Sequence, residues 1–315
     1  MSKRIVLSKK VEAAEAGMRL DKYLSTAYPD FSRNHIQIWI EEGMVTVNGE
    51  RAKSKLLLKG DENIHIDALI KPIIENEPEK MNLDISYEDE VIIILNKPAG
   101  LVVHPGAGNH NGTLLNGLLH HDHHLNLVPR AGIIHRLDKD TSGIMVIAKT
   151  EKSYLSLNKQ MKDRQIQKQY QALVIGNVRS GKIITHLLGR HPKSRTKQAV
   201  IQNGREAITK YTVNKQFEGF TLLDVVIETG RTHQIRVHLS HEKLPIVGDV
   251  TYGAKRKFPK GINEELRLVI GKFKRQALHA KSLAFIHPES GERVFFDTPL
   301  AEDIKELISK FRVLE

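Results

Sequence analysis

His135-Arg136-Leu137-Asp138-Lys139-Asp140-Thr141-Ser142-Gly143 runs directly into Ile144-Met145-Val146-Ile147-Ala148. The apolar half is short and unbroken, which predicts a strand buried on both faces. The polar half is then a loop delivered to the edge of a core, a common place for chemistry because a rigid strand holds it. Taken alone, the same composition also suits a surface turn in which Arg136 or Lys139 pairs with Asp138 or Asp140. The surrounding sequence decides between the two.

Outward from this stretch, further strands are predicted at Val91 to Leu95, Tyr170 to Val174, Leu222 to Glu228 and Leu283 to Ile286. Helical spacing covers Leu155 to Arg164, Thr232 to Ser240 and Ala301 to Phe311. Irregular alternation of strands, loops and helices predicts an α+β fold, with a mixed and mainly antiparallel sheet, rather than a doubly wound one. No Gly-x-Gly-x-x-Gly or Walker-type loop follows any of these strands, so a nucleotide cofactor has no support.

The first part of the chain reads as a smaller module. A short helix begins at Arg19-Leu20-Asp21-Lys22-Tyr23-Leu24 and ends by Pro29. Ser32 is the expected N-cap of a second helix, carried by Ile36, Trp39 and Ile40 and closed by Gly43. Val45 and Val47 alternate with polar residues before Asn48-Gly49, a hairpin signal, and alternation resumes at Ile64 and Ile66. Residues 68 to 82 break all periodicity with Pro72, Pro78 and three glutamates, and are read as a linker. The expected division is residues 1–80, module plus linker, and residues 81–315.

At 315 residues the chain is long enough for both units. Its net charge of +11 favours a polyanionic partner, with RNA or DNA the commonest. Arg19, Lys22, Arg33, Arg51, Lys53 and Lys55 give the module one positive face. Basic residues cluster again at Arg190, Lys193, Arg195 and Lys197, and from Lys255 to Arg275. Neither later cluster has the apolar helical face of an interfacial helix, and no apolar run approaches the roughly 18 residues of a membrane span. The basic start, Met1 to Leu7, is too short in its apolar part for a secretion signal. With no cysteine, disulfides and thiolate metal sites are excluded, and a cytoplasmic protein is expected. Nothing demands more than a monomer. His110, His120, His121, His123 and His124 cluster in sequence, but lack the spacing and the intervening Glu of a catalytic zinc helix, so no metal is expected.

Four more segments carry candidate chemistry. Asn96-Lys97-Pro98-Ala99-Gly100 ends a strand and leads to His104. Lys168-Gln169-Tyr170-Gln171-Ala172 starts one with a tyrosine. Glu228-Thr229-Gly230-Arg231-Thr232-His233-Gln234-Ile235-Arg236 turns from a strand into a helix, and Leu278-His279-Ala280 precedes Leu283 to His287. In this order, the five segments resemble the RluA/RluD type of RNA pseudouridine synthase over nearly all of residues 85 to 290. The leading module is similar to the alpha-L RNA-binding module of ribosomal protein S-four.

The resemblance implies an isomerase that moves uracil from a nitrogen to a carbon link on its ribose, with no cofactor. It implies that Asp138 is the catalytic aspartate, Tyr170 the active-site tyrosine and Arg236 the arginine paired with the aspartate. Asp138 acts either as a nucleophile on the sugar or as a base on the neighbouring carbon. Tyr170 can stack on uracil and help move a proton from carbon five. Leu278 suits the opposite wall or the core. Arg136 suits an RNA phosphate or the gap left by a flipped base, and His135, Arg231, Lys97, Arg19 and Arg33 complete the expected RNA-binding and substrate-binding set. The implied partner is large-subunit ribosomal RNA, with transfer RNA as the alternative. Two rival readings are a non-catalytic RNA-binding assembly factor and a hydrolase built on Asp138 and Asp140.

Overall fold

The computed structural model describes residues 3–31, 33–70, 76–106, 108–194, 196–253, 258–259, 261–262 and 264–311. The expected cap Ser32, the linker residue Pro72 and the basic residues Arg195, Lys255, Arg256, Lys257 and Lys260 lie outside the described residues.

The leading unit is built from β1 (Lys3–Lys10), α1 (Leu20–Ala27), α2 (Arg33–Glu41), β2 (Val45–Val47), β3 (Glu50–Arg51) and β4 (Asn63–Ile70). Its sheet has the order β1-β4-β2-β3, all pairs antiparallel. Asn48 and Gly49 both take positive φ (52° and 84°), as a two-residue hairpin between β2 and β3 requires. Leu20, Leu24, Ile36, Trp39 and Ile40 from the helices meet Val45, Ile64 and Ile66 from the sheet in one closed cluster. The eight-residue β1 was not foreseen; its half-exposed face leaves a weak period-two signal.

The larger unit contains β5 (Ile85–Glu88), β6 (Ile92–Lys97), α3 (Leu114–His121), β7 (Ser142–Ala148), α4 (Glu151–Lys162), β8 (Gln167–Ile175), β9 (Lys182–Arg190), β10 (Gln198–Val200), β11 (Arg205–Phe217), β12 (Phe220–Ile227), α5 (Gln234–His241), α6 (Glu264–Lys272), β13 (Leu278–Ile286), β14 (Arg293–Asp297) and α7 (Glu302–Ser309). The strands form one sheet in the order β10-β9-β11-β12-β8-β13-β7-β6-β5, with β14 also paired to β13. Every pairing is antiparallel except that of β13 with β7. The expected α+β class with a mainly antiparallel sheet is therefore correct. All seven residues of β7 are buried, as its unbroken apolar sequence requires.

The parallel junction explains the glycine that ends the opening stretch. Gly143 has φ +120°, and a Cβ there would lie 2.2 Å from the Ala280 carbonyl oxygen. Only glycine lets β7 and β13 close up at this point. That closure sets the loop before β7 beside the loop before β13, at the same edge of the sheet. Tyr170 on β8 pairs in register with Ala280 on β13 and Val225 on β12, so the strand carrying the tyrosine runs beside the same junction.

Candidate active site

Asp138 sits in the loop that enters β7. Its carbonyl accepts the Thr141 N–H (3.0 Å), Thr141 Oγ1 accepts from Gln276 (2.9 Å), and Ser142 Oγ meets His279 Nδ1 at 2.9 Å. From below, Lys97 Nζ donates to the carbonyls of Pro98, Leu101 and Lys139 at 2.8–3.0 Å. Lys97 is wholly buried, and burial pulls its amine down to about 7. The expectation that Lys97 touches RNA or substrate is thus corrected. Its three bonds to backbone oxygens turn it inward, where it ties the loop after β6 to the loop carrying Asp138.

Arg236 comes from the first turns of α5. Gln234, itself buried, fixes the turn from β12. Its amide donates to Ile208 O and Thr209 Oγ1, and its carbonyl oxygen accepts from Arg231 N and Thr229 Oγ1, all at 2.8–3.0 Å. His233 starts the helix in the left-handed region (φ 56°). With the turn locked, Arg236 Nη1 donates to Asp138 Oδ2 at 2.9 Å. Its other edge grips Asp249, Nε to Oδ2 at 2.7 Å and Nη2 to Oδ1 at 3.0 Å. Asp249 also accepts the backbone N–H groups of Thr251 and Tyr252. Burial pushes the Asp249 carboxyl upward, but the arginine and these N–H groups hold it below the usual carboxylate range. Burial likewise opposes the charge on Arg236, and Asp249 and Asp138 together more than restore it.

The sequence reading missed Asp249, Tyr252 and His233 as members of this set. Tyr252 places its ring 5.0 Å from the Arg236 guanidinium carbon, accepts the Gln198 N–H on its hydroxyl, and approaches His233 Nδ1 at 2.7 Å. The opposite ring nitrogen of His233 lies 3.8 Å from Asp138 Oδ1. A signal existed in Gly248-Asp249-x-x-Tyr252-Gly253, a glycine-flanked acid and tyrosine after an apolar pair. Gly248 has φ +77° and would clash with the Arg275 carbonyl if it bore a Cβ (2.1 Å), so the turn presenting Asp249 demands glycine.

Asp138 and Arg236 open on a cavity of about 240 Å³, a size for one base rather than a helix. Tyr170, His135, Arg136, Leu278 and Arg231 line it too, so seven of the ten expected residues converge there. Tyr170 is buried, and burial together with the Asp138 charge raises its hydroxyl well above its ordinary value, so the phenol keeps its proton. Leu278 is buried on the strand paired with that of Tyr170, two residues from the tyrosine's partner Ala280, so it lines the cavity beside the tyrosine and not on the expected opposite wall. His135 accepts the Val146 N–H on Nε2 (3.2 Å), and burial lowers it to about 3, making it a neutral wall residue. Arg136 is exposed at the rim, and Arg231, also exposed, donates to the Glu206 carbonyl. Arg130, passed over in the sequence, joins the lining with its backbone in the left-handed region (φ 57°).

Arg19 and Arg33 do not reach this cavity. Both lie in the leading unit and share Asp21 (2.9 Å each), with side chains 37% and 46% exposed. Among the described residues, the one group of three potential metal ligands is Asp122, His123 and His124, none of which lines the cavity. No helix among the described residues is long and apolar enough to cross a membrane.

A base-sized cavity with an arginine-held carboxylate and a protonated phenol, in a chain whose leading unit presents partly exposed arginines, points to an enzyme that acts on a nucleobase. Comparison with known proteins gives the family. Residues 91–241 match the RNA pseudouridylate synthase family, and residues 18–64 match the S4 domain. The chain is 45% identical to ribosomal large subunit pseudouridine synthase D of Escherichia coli K12 over 315 residues, covering 99% of this chain and 96% of the relative. It is 44% identical to the protein of the same name from Xanthomonas campestris over 302 residues, covering 96% and 91%. Human RNA pseudouridylate synthase domain containing 1 shares the fold with a TM-score of 0.58 at 25% identity, over 76% of this chain and 91% of that structure. The chain belongs to the RNA pseudouridine synthase family and is an isomerase acting on RNA.

Proposed function

We propose that this protein isomerises specific uridines of large-subunit ribosomal RNA, with Asp138 as the reacting carboxylate. The observation that carries the assignment is the 2.9 Å bond from Arg236 to Asp138 Oδ2, which holds the carboxylate at the cavity wall with Oδ1 outside that bond. One oxygen is anchored, and the other is available to the ribose of a flipped uridine. In either route the bond from ribose to base nitrogen breaks with its electron pair leaving on uracil. Asp138 then stabilises the sugar, by bonding to it or by taking the neighbouring proton. The uracil turns and its carbon five forms the new bond as Asp138 leaves the sugar or returns the proton it took; carbon five then sheds its proton and the freed ring nitrogen gains one. Tyr170 keeps its proton in the resting site and is suited to stacking on the base and guiding that proton. Asp249 acts as a positioning residue, because it fixes the guanidinium that orients Asp138.

The ribosomal RNA reading is supported by the names of the relatives, which favour it over transfer RNA. Residues 1–80 serve to grip structured RNA and residues 81–315 perform the chemistry, with the protein acting as a cytoplasmic monomer. Arg136, Arg231 and Arg130 at the rim are suited to phosphates flanking the flipped nucleotide, and such contacts offset the few kcal/mol that extrusion costs. Mapping pseudouridines in ribosomal and transfer RNA from cells with and without the protein tests the substrate. Loss of sites confined to large-subunit RNA is expected, and loss confined to transfer RNA overturns that part. Asp138→Asn should still bind RNA, with affinity falling steeply as salt rises, while making no pseudouridine. Retained isomerisation by that variant would remove Asp138 from the mechanism.

A further inference from the structure

Lys168 is the one buried lysine lining the cavity, and the mechanism above does not use it. It lies two residues before Tyr170 on β8, so both side chains stand on the same face of the strand. The residue is 5% exposed. Its Nζ approaches Met161 Sδ at 4.0 Å, a weak acceptor, and lies 3.9 Å from where a Cβ on Gly230 would sit. Met161 and Gly230 both line the cavity. Among the described residues no carboxylate pairs with this amine. Burial lowers it to about 8 with nothing opposing, whereas Lys97, the other buried lysine among the described residues, is satisfied by three carbonyls.

A buried cation without an anion is costly, and evolution of a stable core would replace it with a methionine or leucine. Its position beside the base cavity gives the cost a purpose. We propose that Lys168 is a catalytic residue that donates a hydrogen bond to a carbonyl oxygen of the flipped uracil and stabilises the uracil anion released when the ribose–nitrogen bond breaks. The balance is simple. The bond electrons leave on the base nitrogen and spread onto the two carbonyl oxygens. The ammonium keeps its proton throughout; the anion is discharged when carbon five bonds to the sugar, and the proton that carbon five then sheds is made up by one gained on the freed ring nitrogen. The anion supplies the missing counter-charge only while the base is detached, so the interaction favours the transition state over the ground state.

This inference rests on reading the cavity as the uridine site, and wild-type turnover of the test RNA checks that reading separately. The test is the single-turnover rate of full-length Lys168→Met on a large-subunit ribosomal RNA transcript, with product scored by digestion and chromatography. The expected loss is about 10²–10³-fold in rate, as for removal of one donor to a developing anion, with RNA affinity unchanged within about threefold. On a transcript carrying 5-fluorouridine, whose base leaves more readily as an anion but whose carbon five has no proton to lose, the quantity followed is disappearance of the starting nucleoside, and the loss in that rate should shrink by at least about tenfold because less stabilisation is needed. The variant should melt at the same temperature or higher, since it removes an uncompensated charge. A rate within threefold of wild type overturns the proposal. So does a loss confined to RNA affinity, an equal loss on both transcripts, or a variant that melts lower.

Discussion

The protein builds two clusters of guanidinium and carboxylate groups, with opposite stoichiometry. In the large unit, two acids share one arginine: Arg236 spans Asp138 and Asp249. In the leading unit, two arginines and an amide converge on one acid. Arg19, Arg33 and Gln37 all donate to Asp21, which is itself wholly buried. The first cluster has an excess of negative charge and sets one of its carboxylates at the wall of a cavity. The second has an excess of positive charge on side chains that remain partly exposed. The same chemical pair thus makes a reactive anion in one place and a presented cation in the other. What differs is which partner is in surplus and which end faces solvent.

Breaking the first cluster should have the larger effect. Arg236→Met leaves Asp138 and Asp249 facing each other without a cation, and should cost about 3–5 kcal/mol of stability along with nearly all turnover. Denaturant titration and a single-turnover assay measure the two losses; a fully active variant would separate Asp138 from its supposed anchor. Asp249→Asn keeps the shape but weakens the grip on the guanidinium. Its rate on bound RNA should fall by about 10²-fold while RNA affinity holds, as expected when a reacting group is slightly misplaced. An affinity loss instead would make Asp249 an RNA-facing residue.

The second cluster predicts the converse. Arg33→Gln should leave turnover at saturating RNA unchanged and lower the slope of log affinity against log salt by about one phosphate contact. An unchanged slope would mean that Arg33 serves only to hold Asp21. The smallest effect concerns acid. Burial pushes Asp21 upward, but Gln37, Arg19 and Arg33 hold it below the usual carboxylate range, and Asp249 is depressed in the same direction. Groups with a lowered folded-state value stabilise the protein above the ordinary carboxylate value of about 4, and that contribution is lost as pH falls through the folded values. Melting temperature should therefore drop below about pH 4, and less steeply in Asp21→Asn than in wild type. Parallel curves for the two proteins would contradict this.

The elements that could be read in advance are those whose pattern is local. Strand β7 was visible as an unbroken apolar run, and α5 as the segment that follows a strand and a glycine turn. The long β11 was not foreseen, since its exposed and buried residues alternate around charged side chains such as Lys210 and Lys215. In the cavity, Asp138, Tyr170 and Arg236 were legible through motif resemblance, and the structure brings them together. Lys97 was misplaced because a lysine beside a glycine turn looks exposed in sequence. Only the fold shows three carbonyls closing around its amine.

By itself, then, the sequence determined the residue types: an acid before a buried strand, a tyrosine at the head of another, an arginine after a glycine turn, and a basic surplus that calls for RNA. Tertiary structure alone decided that these meet across 98 residues of chain at a 2.9 Å bond, and that Asp249 stands behind the arginine. The reason is physical. Propensity and patterning act over a few residues, whereas the ionisation and orientation of a buried carboxylate depend on whichever distant groups the closing sheet brings within a few ångströms.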